Sequence, residues 1–410
     1  MDNRCIIIGA GHAGSQAAIS LRQEGYAGEI VLINDETDIP YHKPPLSKSY
    51  LKAPEAGGLV LRPEASYRDS NIELLFGTRV DAVSIADRTV TLDDGRVLRW
   101  SDLIFATGAR ARIPDLPGIG LEGVVTLRRM EDARRIATLM PDVQDVVIVG
   151  GGFIGLEMAH SAIALGKKTV LIEAAPRVLG RSVATHISSH VESRSRAVGI
   201  TLLTGLGVRA IEGENGRVAS VKTTDGTAFP ADMVVIGTGA VPNVELAMQA
   251  GLEVDNGIVV DECLRTSADR VYAIGDCVSY DHFHAGCRVR LESVQNATDQ
   301  AKHVARTIVG RGAPYQEVAW FWSDQGDMKL QTAGISFDAD RHILSGNPDG
   351  NAFSVFHFKG DRLVAVDSIN RPADHMIARR LLAANISPSE EDIAAGAPRL
   401  KELIATAPKY

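Results

Sequence analysis

Residues Cys5–Glu36 read CIIIGAGHAGSQAAISLRQEGYAGEIVLINDE, and residues Val146–Glu173 read VVIVGGGFIGLEMAHSAIALGKKTVLIE. The two stretches are one pattern written twice. Each opens on a short, β-branched apolar run, which predicts a buried parallel strand. Each continues with G-x-G-x-x-G, as Gly9, Gly11 and Gly14 and again as Gly150, Gly152 and Gly155. An alanine-rich helical stretch, a glycine near its end and a second apolar strand follow in both. The second strand ends in acid: Asp35 and Glu36 in the first copy, Glu173 in the second.

That order of strand, glycines, helix, strand and acid is the βαβ fingerprint of dinucleotide binding. The first glycine makes a tight turn, the second lets a pyrophosphate approach the backbone, and the third lets helix and strand pack closely. The phosphates then sit at the positive end of the helix. The acid accepts hydrogen bonds from ribose hydroxyls. A single glycine-rich turn occurs in many α/β proteins; two copies with full context imply two dinucleotides.

Working outward, LIFATGARARIP (Leu103–Pro114) and MVVIGTGAVPN (Met233–Asn243) are apolar strands ending in Thr-Gly. VYAIGDC (Val271–Cys277) is a similar strand ending in Gly-Asp. Ligands of doubly wound folds bind at the carboxyl ends of strands, which places Thr107, Gly108, Gly239 and Asp276 as candidate cofactor contacts. Between the strands, Asp81–Trp100 alternates around an Asp-Gly turn and reads as a small antiparallel meander, and Val218–Val235 repeats the device. After about Trp320 the character changes. Phe353–Asn370 is a hairpin around Lys-Gly-Asp, and His375–Ser387 has a helical pattern, so the tail reads as an α+β domain. The fold class is therefore α/β: two Rossmann-like dinucleotide-binding domains with small antiparallel meanders, plus a C-terminal α+β domain.

The chain has 410 residues, 45% hydrophobic and 23% charged, which is the composition of an ordinary globular protein. At roughly 100–200 residues per domain, two to four domains are expected. The formal charge of −8 lowers the standing of a nucleic-acid binder, which is normally basic. The four cysteines, Cys5, Cys263, Cys277 and Cys287, include no C-x-x-C pair and no zinc-finger spacing, and buried packing accounts for Cys277 and Cys287. No signal peptide and no apolar run long enough to span a membrane is evident, so the expected location is the cytoplasm.

Seven stretches, one of them the second fingerprint itself, complete a resemblance. They are PYHKPPLSKSYL (Pro40–Leu51), LRRMEDA (Leu127–Ala133), GGGFIGLE (Gly150–Glu157), the stretch from Ala250 to AIGDC at Cys277, ESVQNA (Glu292–Ala297), WFWSDQ (Trp320–Gln325) and VDSINRP (Val366–Pro372). With the two fingerprints they resemble, over nearly the whole chain, the FAD-dependent pyridine-nucleotide disulfide oxidoreductases. Within that superfamily they resemble the ferredoxin reductases of the putidaredoxin reductase type.

The resemblance implies that the first fingerprint binds FAD and the second NADH. It also implies a discontinuous FAD domain over 1–113 and 241–319, an NADH domain over 114–240 and a C-terminal domain over 320–410. For FAD it implies Gly9, Gly11, Ala13, Gly14, Asp35, Lys48, Val80, Thr107, Gly108, Arg128, Asp276, Val294 and Trp320. For NADH it implies Gly150, Gly152, Ile154, Gly155, Glu173 and Gly239. The ribose acid of the first copy is spread over Asn34-Asp35-Glu36; Asp35 is the aligned acid, and which oxygen acts is open. Trp320, with Trp322, is either a stacking or electron-exit residue or a core aromatic. His12 and His42 receive no role.

Disulfide-reducing relatives carry a redox cysteine pair, and oxidase relatives a catalytic cysteine shortly after the first βαβ unit; Pro40–Leu51 has none. Electrons are therefore expected to leave the flavin for an outside acceptor, a [2Fe-2S] ferredoxin. That ferredoxin would supply a cytochrome P-450-type monooxygenase or a Rieske dioxygenase. A reductase of rubredoxin or another one-electron acceptor is the alternative. A partner-binding protein of the apoptosis-inducing-factor type would carry targeting signals or long basic stretches, and neither occurs.

In the resembling enzymes the lysine corresponding to Lys48 and the glutamate corresponding to Glu157 meet beside flavin N5, which makes these two the expected catalytic pair. Glu173 favours NADH, because a carboxylate repels a 2′-phosphate, although Arg177 and Arg181 lie close in sequence. An acidic ferredoxin needs a local basic patch on an acidic enzyme. Lys302, His303, Arg306, Lys329, Arg379 and Arg380 are the candidates. No metal ligands are expected.

Overall fold

The computed structural model describes residues 3–54 and 57–406; the outer limits of the expected domains, 1–2 and 407–410, lie outside them. The chain forms two compact units. One comprises residues 1–42, 57–110 and 241–319, and the other 43–56, 111–240 and 320–410.

The first unit is built on a five-stranded, all-parallel sheet. Its order is Val271–Ala273, Asp102–Phe105, Arg4–Ile8, Glu29–Asn34, Ile72–Phe76. The central strands are apolar throughout because helices cover both faces of such a sheet. Ile6, Ile7, Leu32, Leu103 and Ile104 are fully buried. Helix His12–Gln23 follows the first strand and packs against helix Val294–Ile308. Strands Val80–Ser84, Thr89–Leu92 and Val97–Arg99 form the expected meander, turning tightly at Asp94-Gly95.

The first unit also ties its own sheet down at the edge remote from the glycine turn. Arg22 is a four-way clamp, donating to the carbonyls of Ser70, Tyr26, Gly28 and Asn71 at 2.6–2.9 Å. One planar guanidinium thereby satisfies four loop carbonyls that strands cannot reach.

The second unit repeats the plan. Its parallel sheet runs Thr201–Thr204, Lys168–Glu173, Asp145–Val149, Met233–Ile236, Val124–Thr126. Its meander comprises Val208–Glu214, Arg217–Thr223 and Ala228–Pro230. The stretch read from sequence began at Val218 and missed the first of these strands, in which only Ile211 is buried. With one inward apolar residue there is no alternation to detect.

The tail in the same unit is an antiparallel five-stranded sheet ordered Trp320–Gln325, Met328–Gly334, Arg362–Ile369, Ala352–Lys359, Arg341–Asn347. Helix Pro372–Ala383 lies on it, starting three residues earlier than its apolar pattern suggested because Pro372 supplies the first turn. Among the described residues no helix is long and apolar enough to cross a membrane.

Candidate functional site: two glycine cradles and a buried ion pair

In each unit the glycine turn follows the central strand. Gly9 has φ +104°, and a side chain there would come within 2.3 Å of the Ala106 carbonyl oxygen. At Gly14 it would meet the Gly9 oxygen at 1.8 Å, whereas at Gly11 nothing lies within 4 Å. The second unit matches. Gly150 has φ +110° and 2.4 Å of room to the Gly237 oxygen, Gly155 has 2.0 Å to the Gly150 oxygen, and Gly152 meets only the Gly237 oxygen, at 4.0 Å. The outer glycines are therefore demanded by the fold itself. The middle ones are not; they keep open the space into which a pyrophosphate fits.

Gly11 and Gly152 are also the N-caps of helices His12–Gln23 and Phe153–Ala164, and no side chain among the described residues caps either. A helix N-terminus without a side-chain cap suits an anionic group. The residues present thus fit a dinucleotide twice.

The Thr-Gly strand ends adjoin the turns: Thr107 Cα lies 3.3 Å from a side chain placed on Gly9, and Thr238 N lies 3.2 Å from one placed on Gly150. Gly108 and Gly239, at φ +64° and +109°, face open space. Thr107 is latched to Asn243 by Oγ1 donating to its carbonyl at 2.6 Å, while Asn243 Nδ2 donates back at 2.8 Å. A side chain on Gly275 would touch Ala13 Cβ at 3.0 Å, so Ala13 and Asp276 are neighbours. Gly275 N donates to Gln300 of the helix that Val294 begins. Val80 opens the meander and is buried.

Of the other FAD candidates, Lys48, Arg128 and Trp320 belong to the second unit. Arg128 precedes helix Met130–Leu139, its N–H donating to Asp132 at 2.8 Å. The rings of His12 and His42 lie 5.7 Å apart, tilted.

The acids differ between copies. Ile8 pairs with Ile33 and Val149 with Ile172, so the position of Glu173 is occupied in the first unit by Asn34. Both reach back to the turn: Ala10 N donates to Asn34 Oδ1 at 3.3 Å, and Gly151 N donates to Glu173 Oε2 at 2.6 Å. Asp35 lies one residue further out and is exposed, and Glu36 accepts from the Tyr41 hydroxyl at 2.6 Å.

Glu157 sits one turn into the second cradle's helix and is 4% exposed. The Lys48 ammonium lies 2.7 Å from its Oε2. Two hydroxyls that sequence reading did not single out complete the shell: Ser47 donates to Oε2 at 2.5 Å and Ser323 to Oε1 at 2.6 Å. Ser161, one turn further along the helix, donates to the Ser47 carbonyl at 2.6 Å. Gln325 donates to Ser323 at 3.2 Å.

Strand Trp320–Gln325 supplies Ser323 by alternation: Phe321, Ser323 and Gln325 share one face, and Phe321 packs on Phe153 of the helix with ring centroids 4.5 Å apart. Trp320 and Trp322 take the opposite face, where the Arg379 guanidinium lies 4.4 Å from the Trp320 ring centre. The signal for Ser323 was a small polar residue on the face that Phe321 marks as inward. Ile154, in the first turn of this helix, is 43% exposed.

All four cysteines are free thiols; Cys277 is buried as its packing role requires, whereas Cys287, expected to be buried too, is exposed on the short strand Cys287–Val289. Burial pushes Cys5 and Cys277 up, and it also raises Cys263, so none of the three is an activated thiolate. Among the described residues no cluster could hold a metal. The basic candidates divide between the units. Lys302 pairs with Asp299 at 3.3 Å and Arg306 with Glu24 at 3.2 Å in the first unit. Lys329, Arg379 and Arg380 belong to the second, with Lys329 and Arg380 exposed.

Comparison with known proteins gives the following. The family model described as pyridine nucleotide-disulphide oxidoreductase matches residues 3–301, and one described as reductase C-terminal matches 320–404. Rhodocoxin reductase of Rhodococcus erythropolis is 42% identical over 95% of this chain and 91% of its own. A rubredoxin-NAD(+) reductase of Pseudomonas putida is 39% identical over 90% and 96%. The crystal structure of the ferredoxin reductase for the CYP199A2 system of Rhodopseudomonas palustris superposes with a TM-score of 0.95, at 42% identity over 98% of this chain and 99% of that one.

Proposed function

Since the chain belongs to the pyridine nucleotide-disulphide oxidoreductase family, an enzyme family that works with FAD and NAD(P)H, we propose that it is an NADH-dependent reductase of a [2Fe-2S] ferredoxin. The ferredoxin serves a cytochrome P-450-type monooxygenase or a Rieske dioxygenase. The observation that carries this reading is the doubled cradle on a chain whose cysteines are unpaired thiols. Two dinucleotides can be held, and no sulfur relay is available to pass electrons between the second and an acceptor.

When bound, FAD supplies the conversion between a hydride, which carries two electrons, and an acceptor that takes one at a time. The protein's part is to bind, orient and set charge. The turn of Gly9, Gly11 and Gly14 with Ala13, Thr107, Gly108, Asp276 and Val294 holds FAD, with Asn34-Asp35-Glu36 toward its ribose and Val80, Arg128 and Trp320 as further contacts. The turn of Gly150, Gly152 and Gly155 holds NADH, with Ile154, Gly239 and Glu173. The domains are 1–113 with 241–319 for FAD, 114–240 for NADH, and 320–410.

Lys48 would offer a bound flavin a positive charge that favours its reduced form. Glu157 fixes where that ammonium points, and Ser47 and Ser323 fix Glu157. Lys302, Arg306, Lys329, Arg379 and Arg380 are the ferredoxin-docking candidates.

The 39% identity to a rubredoxin reductase supports a second reading, in which the acceptor is rubredoxin. Anaerobic stopped-flow mixing decides between them. Purified protein should be yellow, bleach with NADH, and reduce a [2Fe-2S] ferredoxin faster than a rubredoxin. The reverse order would favour the second reading. A colourless preparation that FAD cannot reconstitute would sink both.

A further inference from the structure

The second unit contains an arginine that looks, in sequence, like a 2′-phosphate contact. Arg177 stands four residues beyond Glu173, where a nucleotide-binding fold that takes NADPH would use a guanidinium. Three of its five N–H donors are already committed. Nη1 donates to the Val183 carbonyl at 2.8 Å and to Ser188 Oγ at 2.6 Å, and Nη2 donates to the Gly180 carbonyl at 2.6 Å. Ser188 is fully buried, and its own O–H donates to the Val178 carbonyl at 2.7 Å. The loop lies against the side chain: a Cβ on Gly180 would be in van der Waals contact with Arg177 Cγ, at 3.4 Å.

The same loop is fastened to the cradle. Leu179 N donates to the Gly151 carbonyl at 3.0 Å, and the Gly151 and Ala175 amides each donate to Glu173 at 2.6 Å. Swinging Arg177 outward would take the guanidinium from two backbone carbonyls at once and leave the buried Ser188 hydroxyl with only its bond to Val178, a costly loss in a closed loop.

We propose that Arg177 is a specificity-determining strap: it holds the loop from Ala174 to Val183 against the second cradle and is thereby withheld from a 2′-phosphate, which meets the Glu173 carboxylate with no guanidinium from position 177 to offset it. The inference rests on the reading of Glu173 as the ribose acid of that cradle. Discrimination then has two parts, a repulsion that Glu173 provides and an attraction that Arg177 is prevented from providing. Removing the first leaves the second still missing.

The test is equilibrium binding of adenosine 5′-monophosphate and adenosine 2′,5′-bisphosphate to the FAD-loaded protein by calorimetry. Wild type should bind the monophosphate about tenfold tighter or more, that is about 1.4 kcal/mol. Glu173→Ala should bring the two within about threefold. Adding Arg177→Ala should leave that ratio where it was.

A Glu173→Ala protein that prefers the bisphosphate tenfold, and loses the preference with Arg177→Ala, overturns the proposal; a preference that survives Arg177→Ala supports it. A wild type that itself prefers the bisphosphate refutes the Glu173 reading instead, so the two failures are told apart. Ser188→Ala, which slackens the strap and leaves Arg177 in place, should speed amide hydrogen exchange across 174–183. Unchanged exchange there would overturn the strap.

Discussion

Ser323→Ala removes one hydroxyl from the shell around Glu157 and tests whether that shell sets the position of the Lys48 charge. The lost bond is 2.6 Å long and ends on a carboxylate that is 4% exposed. A hydrogen bond to a buried charged group contributes about 1.5–3 kcal/mol. Ser47 and Lys48 still hold Oε2, so the ion pair survives, but Oε1 loses its only side-chain donor among the described residues. The melting temperature should drop by several degrees. The carboxylate is then free to turn about its remaining anchors, and the ammonium moves with it. A misplacement of about 1 Å at a reacting centre costs up to about 100-fold in rate.

The expected result is a flavin reduction step slowed about 10- to 100-fold at saturating NADH, with the NADH concentration for half-saturation nearly unaltered. Anaerobic stopped-flow absorbance of the flavin, over a series of NADH concentrations, separates the two quantities. Ser323→Thr keeps the hydroxyl and should restore most of the rate, which a packing role would not require. If Ser323→Ala reduces at the wild-type rate, or Ser323→Thr is as slow as Ser323→Ala, the shell does not position the pair.

Gly152→Ala should fold and stay yellow but lose NADH binding, because its added methyl enters open space, whereas Gly155→Ala, which drives a methyl to 2.0 Å from the Gly150 oxygen, should fail to fold normally; circular dichroism and nucleotide titration distinguish the two. Lys48→Ala leaves a buried carboxylate without its cation, so single-turnover flavin reduction should slow and stability should fall; an unchanged reduction rate would remove Lys48 from the mechanism. Burial holds His282 and His375 at a pKa of about 4, below the ordinary 6.5. Both are neutral in the fold while the unfolded chain takes up a proton, so their contribution is complete above about pH 6.5 and is lost as pH falls toward 4, at up to about 3 kcal/mol per group. His375→Leu should therefore flatten the acid limb of a stability-against-pH curve measured by denaturant melts. Turnover with ferredoxin should fall as salt rises while reduction of a neutral small acceptor changes little, and equal salt slopes would exclude a charged docking surface.

What the sequence made legible was whatever is encoded over short spans. Gly9, Gly11 and Gly14 are five residues apart end to end, and the strands and helix that flank them carry their own periodicities, so the doubled plan could be read without knowing any distant contact. The Glu157 shell could not. Ser47 and Ser323 stand 110 and 166 residues from Glu157, and a serine carries no spacing or periodicity that announces an acceptor. Only the strand's alternation, with Phe321 marking the inward face, hinted at one of them.

Asn34 shows a different obstacle. Reading for an acid led to Asp35; that Asn34, one residue earlier, turns toward the glycine loop follows from strand register, which is fixed by pairing between strands. Arg177 shows the same logic in reverse. Its position suggested a phosphate contact, and its chemistry allowed one, yet the carbonyls of Gly180 and Val183 reach it first. A side chain's availability depends on which competing acceptors the fold brings within 3 Å. Local sequence reports the donor and leaves out those acceptors.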